Sequence, residues 1–336
     1  MARNRYYSGP ISDHFDGTRF FNPGHEDIDN GLRDLLRWRR TSTPSPWPAK
    51  VEIEQIVPDR QVADARITIV GHATVLIQAH GLNIVTDPHW SDRASPLGFA
   101  GPKRVSPPAV AFADLPAIDV VLLSHNHYDH LDVATLRRLV ERDRPLIVTP
   151  LGNDAIVKAA IPRANVRTGD WWDRQRLSED VAVTIVPAQH WSLRRPGDRR
   201  MALWCGFAVR TGRHLIYFAG DTGYGDGRIF RTIRQRLGRP GVALLPIGAY
   251  APRWFMKAYH TDPDEAVAAL QDLEAAQAIG IHWGVFRLSD EGRDDPPTAL
   301  AAALARRQIA SERFLAAEPG YVWRSETVSE PRLRVA

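Results

Sequence analysis

The pattern of hydrophobic and polar residues divides the chain near residue 64. Before that point prolines interrupt regular structure, and only residues 29–40 carry leucines at helical spacing, with arginines and a tryptophan beside them. We predict a short amphipathic basic helix there. After it, three short β-branched runs at residues 66–70, 74–78 and 82–86 predict the strands of an antiparallel meander.

Apolar runs and helix signals continue along the rest of the chain. We predict one helix at residues 133–142, and another that begins at Thr261 and ends near residue 275, because a capping side chain, a proline and two acids follow one another there. Further strands are predicted at residues 120–124, 146–149, 181–187, 207–210, 215–219, 242–247 and 278–282. Sheets followed by helices, twice over, predict an α/β sandwich with helices outside two central sheets. We expect residues 1–60 to form an irregular extension and residues 61–336 to form one domain.

The composition, with 44% apolar and 24% charged residues, is close to the globular average and compatible with a soluble enzyme. A single cysteine, Cys205, excludes an intrachain disulfide framework and fits a reducing compartment. No apolar run reaches the length of a membrane span, and the first residues lack the apolar core of a secretory signal. We therefore expect a cytoplasmic protein.

The net charge of +4 rests almost entirely on arginine, and two explanations of this remain open. Arginine binds phosphate bidentately, which fits an anionic partner such as phospholipid, whereas a genomic bias toward arginine codons needs no partner. The basic helix at residues 29–40 is similarly open. It can lie at a lipid interface, as a peripheral membrane contact, or pack its leucines on its own protein.

The strongest chemical signal is a cluster of metal-binding side chains at residues 124–131, directly after an apolar run. His125 and His127 point to the same side of an extended chain because side chains alternate with period two. A turn after them can bring Asp129 and His130 toward a neighbouring point. Burying so many polar groups is costly unless they share a partner such as a cation. One segment can therefore supply two ligands to each of two adjacent metal ions, the alternative being a solvated loop.

Three more residues of ligand type follow apolar strands, namely His190, Asp221 and His282. Imidazole and carboxylate ligands without thiolate suit zinc, with iron and manganese as alternatives. Five histidines and two aspartates divide into two sites that share one carboxylate. We expect His125, His127 and His190 to bind one ion, Asp129, His130 and His282 to bind the other, and Asp221 to bridge the two.

With these residues the chain resembles the metallo-β-lactamase superfamily and, within it, the family of N-acyl-phosphatidylethanolamine-hydrolysing phospholipases D. The resemblance covers about residues 64–305, and the motifs are specific in combination. The shared segments are residues 71–74, 86–88, 93–96, 101–104, 124–132, 187–191, 218–224, 246–250, 252–257, 260–266 and 281–284. The first sixty residues match poorly.

The resemblance implies a four-layer αββα sandwich, in which residues 61–336 form the metallo-β-lactamase-like domain, with two Zn²⁺ per chain at the edge of the sheets. It implies hydrolysis of N-acyl-phosphatidylethanolamine to N-acylethanolamine and phosphatidic acid. By position, Tyr128 and His260 contact the lipid. It also suggests a homodimer.

Other roles are open between two interpretations. Asp221 and Asp129 are expected to act in catalysis as metal-binding carboxylates. Asp87 is either a hydrogen-bond partner of a metal-bound histidine or a turn aspartate, and His72 supports either the metal site or the core. A second set is expected either to line the entrance for an apolar chain or to form a packed loop: Arg253, Trp254, Phe255 and Met256.

Alternative functions remain at this point. One is hydrolysis of a smaller ester such as a lactone or a sugar lactone phosphate. A nuclease is disfavoured and no nucleic acid partner is expected, because the chain shows no platform of aromatic and basic residues for single strands. The third is a non-catalytic, membrane-associated metal-binding protein, which the full set of seven ligands disfavours.

Overall fold

A computed structural model describes residues 3–25 and 30–325 of the chain. Within the described residues, the strands are β1 (Arg66–Gly71), β2 (Thr74–Ala79), β3 (Leu82–Thr86), β4 (Val120–Leu122), β5 (Leu146–Pro150), β6 (Asn165–Gly169), β7 (Arg174–Arg176), β8 (Val181–Val186), β9 (Gly206–Thr211), β10 (His214–Phe218), β11 (Val242–Pro246), β12 (Gln277–Ile281), β13 (Phe314–Leu315) and β14 (Val322–Arg324). The helices are α1 (Leu32–Thr41), α2 (Val133–Arg142), α3 (Asn153–Ala160), α4 (Arg228–Leu237), α5 (Arg253–Met256), α6 (Pro263–Leu273) and α7 (Asp295–Arg306), with short 3₁₀ helices at Phe112–Asp114 and Ser311–Arg313.

The strands form two seven-stranded sheets that share one pattern of pairing. The first has the order β14-β1-β2-β3-β4-β5-β6, and the second has the order β13-β12-β11-β10-β9-β8-β7. Strands β14 to β3 and strands β7 to β10 pair antiparallel, whereas the strands from β3 to β6 and from β10 to β13 pair parallel. Proteins with parallel sheets bind their ligands beyond the carboxyl ends of the strands. The predicted metal-binding residues lie at these ends.

Three apolar cores place the sheets and helices in four layers. Side chains of both sheets, such as Ile77 and Phe207, are fully buried together between the sheets. The outer face of the first sheet packs on α2 and α3, through residues such as Leu136. The outer face of the second sheet packs on α4, α6 and α7, through residues such as Phe230. The predicted αββα sandwich is confirmed.

Most predicted elements are present, and helix α2 has the predicted bounds. Its N-cap Asp132 accepts hydrogen bonds from the backbone N–H groups of Ala134 and Thr135, which explains why it begins at Val133. Helix α6 begins at Pro263 because Asp262 and Glu265 form a capping box. The predicted strand at residues 278–282 ends one residue earlier, at Ile281, because His282 has a left-handed backbone with φ of 62°.

The predicted basic helix has different bounds from those expected. Helix α1 begins at Leu32, after the N-cap Gly31, and ends at Thr41. Asp29, the expected start, lies outside the described residues. None of the side chains of α1 is buried, and Leu32 and Leu36 are 72% and 45% exposed. Leu32 and Leu36 are therefore left largely uncovered by the described residues, whereas Leu35 is half-buried.

The N-terminal segment, residues 3–25, packs on the domain even though it has no helix or strand. Its Phe15 and Phe20 are buried beside Leu203 and Trp204. The proposed boundary at residue 60 stays a prediction. Among the described residues no helix has both the length and the apolar character required to cross a membrane.

Candidate metal centre

The seven expected ligands meet in one place although both sheets contribute to the set. Four of them, from His125 to His130, lie in the loop after β4 of the first sheet. The other three follow β8, β10 and β12 of the second sheet. Their ligand atoms form overlapping groups, each within 4.8 Å. Five side chains are buried, and the other two, His127 and Asp129, are partly exposed to a cavity.

The ligands of the two sheets can lie together because the backbone at the end of β10 closely approaches the loop that follows β4. Gly220, directly before Asp221, has a left-handed φ of 60°. A Cβ atom added there would lie 3.0 Å from both the carbonyl oxygen of Cys205 and Cβ of Ser124. Only glycine meets both conditions without strain, so it lets the end of β10 approach the loop that follows β4.

The first ligand group consists of the three imidazoles of His125, His127 and His190. Nδ1 of His127 lies 2.9 Å from Nε2 of His125 and 3.2 Å from Nε2 of His190. Burial, reinforced by the neighbouring imidazoles, holds the pKa of His125 well below its ordinary value, and burial does the same for His190. Burial also lowers the pKa of His127 to about 4. All three are thus neutral near pH 7, the form in which histidine binds metals.

The second group surrounds Oδ2 of Asp129. This oxygen lies 3.1 Å from Nε2 of His72, 3.2 Å from Nε2 of His282 and 3.3 Å from Nε2 of His130. Burial lowers the pKa of His130, but Asp221 and Asp129 outweigh it and hold that pKa well above its ordinary value. The electrostatic field here therefore favours positive charge. His72, whose role was open, contacts a ligand carboxylate directly.

Asp221 connects the two groups. Its Oδ2 lies 3.2 Å from Nε2 of His130 and 3.7 Å from Nε2 of His190, and its Oδ1 lies 3.2 Å from Nε2 of His282. Burial raises the pKa of its carboxyl group, but His130 and His282 reverse this and hold that pKa well below its ordinary value. A carboxylate in this position can bind ions on both sides.

Unpartnered polar atoms test whether a cation fits this cluster. Nε2 of His130 and Oδ1 of Asp221 are buried, and neither makes a hydrogen bond of acceptable geometry among the described residues, although ion-pair neighbours lie 3.2 Å away. Leaving such groups desolvated is costly, and a cation can serve both of them. Nitrogen and oxygen donors without sulfur match zinc, iron and manganese. The cluster fits divalent metal.

Hydrogen bonds from outside the cluster orient its ligands. The fully buried carboxylate of Asp87 accepts from Nδ1 of His130 at 2.7 Å, and from the backbone N–H and hydroxyl of Ser124 at 2.7 and 2.6 Å. It thereby turns Nε2 of His130 toward the other ligands. Asp87, His72 and His282 also have left-handed backbones, a strain that only a well-packed site sustains.

A cavity of about 850 Å³ opens onto the cluster at His127, Asp129 and Asp221. We call the cluster of seven ligands the floor of this cavity. Tyr128 and His260 both line it, as expected of residues that contact a substrate. Burial lowers the pKa of His260 to about 4, so that its imidazole is neutral. Its Nδ1 is buried and has no hydrogen-bond partner among the described residues.

Another part of the cavity lining is apolar. We call its residues the mouth, and they come from α1, α5 and a later loop: Leu32, Leu35, Trp38, Phe255, Met256 and Leu288. The Trp38 and Phe255 rings lie 4.8 Å apart, and the Trp38 indole N–H donates to Oδ2 of Asp290 at 3.0 Å. These contacts attach α1 to the domain beside the cavity.

Two residues expected at the entrance do not line the cavity. Arg253 pairs with Glu265 at 2.6 Å and donates to the carbonyl of His260 at 2.9 Å, so its charge is used within the fold. Trp254 is 44% exposed and carries the Arg37 guanidinium over its ring at 4.6 Å. Phe255 and Met256 line the cavity, whereas Arg253 and Trp254 are not among its lining residues, and their role at the entrance stays a prediction.

Sequence reasoning missed the wall of the cavity between floor and mouth. This wall is the loop of residues 191–204, here called the wall loop, which contributes Trp191, Leu193, Pro196 and Arg199 to the cavity lining. Nothing in the sequence of the loop shows that it reaches the metal-binding motif. The contact becomes visible only when β8 and the loop after β4 are placed together.

Comparisons with known proteins agree with this architecture. Residues 82–283 match the beta-lactamase superfamily domain. N-acyl-phosphatidylethanolamine-hydrolyzing phospholipase D 1 of Caenorhabditis elegans is 38% identical over 266 residues, which cover 76% of this chain and 74% of that protein. A metal-dependent hydrolase of Aeropyrum pernix is 30% identical over 239 residues, which cover 66% of this chain and 84% of that protein.

A solved structure extends the comparison of the fold. The isothiocyanate hydrolase from Delia radicum gut bacteria superposes with a TM-score of 0.62 at 23% identity, covering 77% of this chain and all of that chain. Fold, ligand cluster and relatives together define a metal-dependent hydrolase. The chain belongs to the beta-lactamase superfamily, and its predicted similarity to the N-acyl-phosphatidylethanolamine-hydrolysing phospholipases D is confirmed.

Proposed function

We propose that this hydrolase is a dinuclear zinc phosphodiesterase of the phospholipase D type. Its substrate would be N-acyl-phosphatidylethanolamine, and its products N-acylethanolamine and phosphatidic acid. One observation carries the proposal. A single cavity contains two groups of metal ligands, which Asp221 connects, and also a mouth of apolar side chains. The similarity to the Caenorhabditis elegans phospholipase supports the substrate class.

The ligands divide between two ions in this proposal. His125, His127 and His190 would hold one ion, Asp129, His130 and His282 the other, and Asp221 both. When bound, two divalent cations lower the pKa of water and neutralise charge on the phosphoryl oxygens. Asp129 and Asp221 would act as metal-binding carboxylates that fix the positions of the two ligand groups. Asp87 keeps the His130 imidazole turned toward the site.

The residues beside the floor would bind the phosphodiester. Hydrolysis breaks the bond between phosphorus and the ethanolamine oxygen, adds the water oxygen to phosphorus, and gives a proton to the leaving oxygen. His260 has a neutral imidazole with one unused buried nitrogen, so it can hydrogen-bond a phosphoryl or leaving oxygen. Tyr128 lines the cavity while its hydroxyl donates to the carbonyl of Arg194 at 2.7 Å. It would therefore position the substrate by contact.

The mouth would receive acyl chains from a membrane. Exposed Leu32, Leu36 and Trp254 lie on α1 and α5, beside the arginines of α1. Apolar side chains flanked by basic residues are typical of helices that bind an anionic lipid surface. We therefore propose peripheral membrane contact through this face, with the cavity open toward the lipid.

Product analysis tests the proposed reaction. The zinc-loaded protein is incubated with vesicles that contain N-acyl-phosphatidylethanolamine, and lipids are analysed by mass spectrometry, with the Asp221→Asn protein as blank. We expect N-acylethanolamine and phosphatidic acid in equal amounts from the parent protein alone. Turnover of a soluble lactone or sugar lactone phosphate, without lipid products, would assign the protein to smaller esters instead.

A further inference from the structure

The N-terminal segment hydrogen-bonds to the wall loop at several residues. The Asn4 side chain amide donates to the carbonyl of Met201 at 3.0 Å, and the Phe20 N–H donates to the carbonyl of Arg200 at 2.7 Å. The Tyr6 hydroxyl donates to Oδ2 of Asp198 at 2.7 Å. These contacts come from a part of the chain that lies before the superfamily match, which begins at residue 82.

Asp198 organises the turn in the wall loop. Its side chain is fully buried, its Oδ1 accepts from the Arg194 N–H at 3.0 Å, and its Oδ2 accepts from the Arg195 N–H at 2.9 Å. The Tyr6 hydroxyl is the third donor, and burial together with this hydrogen bond raises the pKa of Tyr6 to about 12. A buried carboxylate that loses one of three donors is left partly desolvated without compensation, so the turn depends on Tyr6.

Arg194 carries the effect of this turn to the floor of the cavity. Its carbonyl accepts the Tyr128 hydroxyl at 2.7 Å, and its guanidinium lies 3.9 Å from the centre of the Tyr128 ring. Nη1 of Arg194 donates to the carbonyls of Asn126 and Leu131 at 3.2 and 2.9 Å. These two residues flank the central part of the metal-binding motif, so one side chain fixes both the loop and Tyr128.

We propose that Tyr6 and Asp198 are positioning residues of the active site, which act through Arg194 on Tyr128. The chain of contacts is continuous, from the Tyr6 hydroxyl through the Asp198 carboxylate and the Arg194 backbone to the Tyr128 hydroxyl. The N-terminal segment thereby supports the substrate site, although Tyr6 itself contacts none of the metal ligands. The inference rests on the proposed function, which assigns Tyr128 to the substrate and supplies the phosphodiester for the kinetic test.

The test compares Tyr6→Phe with Tyr7→Phe in the full-length zinc-loaded protein. Both remove one hydroxyl, but that of Tyr7 has no hydrogen-bond partner among the described residues. With bis(4-nitrophenyl) phosphate, we expect Tyr6→Phe to raise KM by about tenfold, with kcat and zinc content nearly unchanged, since substrate positioning is weakened and the ligands are not. An equal change in Tyr7→Phe, or a loss of zinc, would overturn the proposal.

Hydrogen exchange measured without substrate separates this inference from the proposed function. We expect faster exchange of the Arg194 and Arg195 amides in Tyr6→Phe, with the strands of both sheets unaffected. Unchanged exchange in the wall loop contradicts the proposal, as does faster exchange throughout the sheets, which indicates general destabilisation. If the parent protein hydrolyses no phosphodiester, the proposed function fails, and the exchange result still decides whether Tyr6 positions Arg194.

Discussion

The floor and the mouth of the cavity are built in opposite ways. The floor lies where strands of two sheets end, most of its side chains are buried, and its ligand Asp221 contacts four imidazoles. The mouth is formed by α1, α5 and a loop outside the sheets, and Leu32 there is 72% exposed. The floor therefore has one arrangement held by the core, whereas the mouth is held by a few surface contacts.

This difference assigns chemistry and substrate choice to separate parts of the molecule. In the proposed function the metal ions act on the phosphodiester itself, so a change at the floor should affect every substrate. A change on the face around the mouth should affect only substrates presented in a membrane. Comparing N-acyl-phosphatidylethanolamine vesicles with bis(4-nitrophenyl) phosphate measures the two effects in parallel.

Asp221→Asn should produce the largest effect. The amide keeps the size of the side chain but removes the charge that faces His130, His190 and His282, so metal binding is weakened on both sides. We expect kcat/KM to fall by at least on the order of a thousandfold with both substrates. Metal analysis should show less than the parent metal content, and full activity with either substrate would contradict the dinuclear proposal.

Asp87→Asn should have an intermediate effect that is also confined to the floor. Asp87 touches no substrate but accepts from Nδ1 of His130. Replacing such a partner typically lowers metal affinity or activity by about ten- to a hundredfold. Titration of the apoprotein with zinc measures the change in affinity, and the loss of activity should be equal for the two substrates. A loss with vesicles alone would break the division between floor and mouth.

The double variant Leu36→Ser with Trp254→Ser should show the converse selectivity. Both side chains are exposed and neither lines the cavity. Because each loses apolar area available to lipid, we expect vesicle hydrolysis to fall by about tenfold and hydrolysis of the soluble ester to stay constant. Val57→Ser is the matched control, since Val57 is 74% exposed and lies away from the mouth. An equal effect of Val57→Ser would exclude a specific membrane face.

The smallest expected effect is on stability, at His14 behind the wall loop. His14 is buried between Asp13 and Asp170, 2.6 and 2.7 Å away. Burial lowers its pKa, but these carboxylates outweigh burial and raise the pKa above its ordinary value. A raised pKa stabilises the fold below the unfolded-state pKa, and this contribution is lost as pH rises through the folded-state pKa.

We therefore expect His14→Gln to lower the free energy of unfolding by about 1–2 kcal/mol at pH 5.5, and by less at pH 9. Urea denaturation at the two pH values measures the difference. A loss that is independent of pH would mean that His14 contributes by packing on Trp171, 4.3 Å away, rather than by charge.

The elements that could be predicted from the sequence carry their own signals. Helix α2 has a capping aspartate and an apolar face, and β1 to β3 are rich in β-branched residues. Helix α4 was not predicted, since its arginines outnumber its buried side chains and the residue before it, Gly227, provides no capping side chain. Strand β6, of alternating exposure, depends on its pairing with β5.

The same distinction applies to the site. The seven expected ligands each follow an apolar strand, and the structure brings them together. The wall loop and the two positioning residues had no such signal. The role of Asp198 depends on its hydrogen bond from Tyr6, which lies 192 residues earlier in the chain. No local sequence pattern predicts a contact over that separation. Arg253 and Trp254 share a single turn of helix with Phe255 and Met256, and of these four residues only Phe255 and Met256 line the cavity.

The division of ligands between the two sheets has a thermodynamic consequence. Because the loop after β4 belongs to one sheet and His190, Asp221 and His282 to the other, a complete ligand set exists only while the sheets are docked. Ions that bind only this assembled form stabilise it by mass action, by about 4 kcal/mol when free metal exceeds its dissociation constant a thousandfold. Zinc would then act as a reversible cross-link between the halves of the sandwich, and chelation would lower the melting temperature as well as the activity.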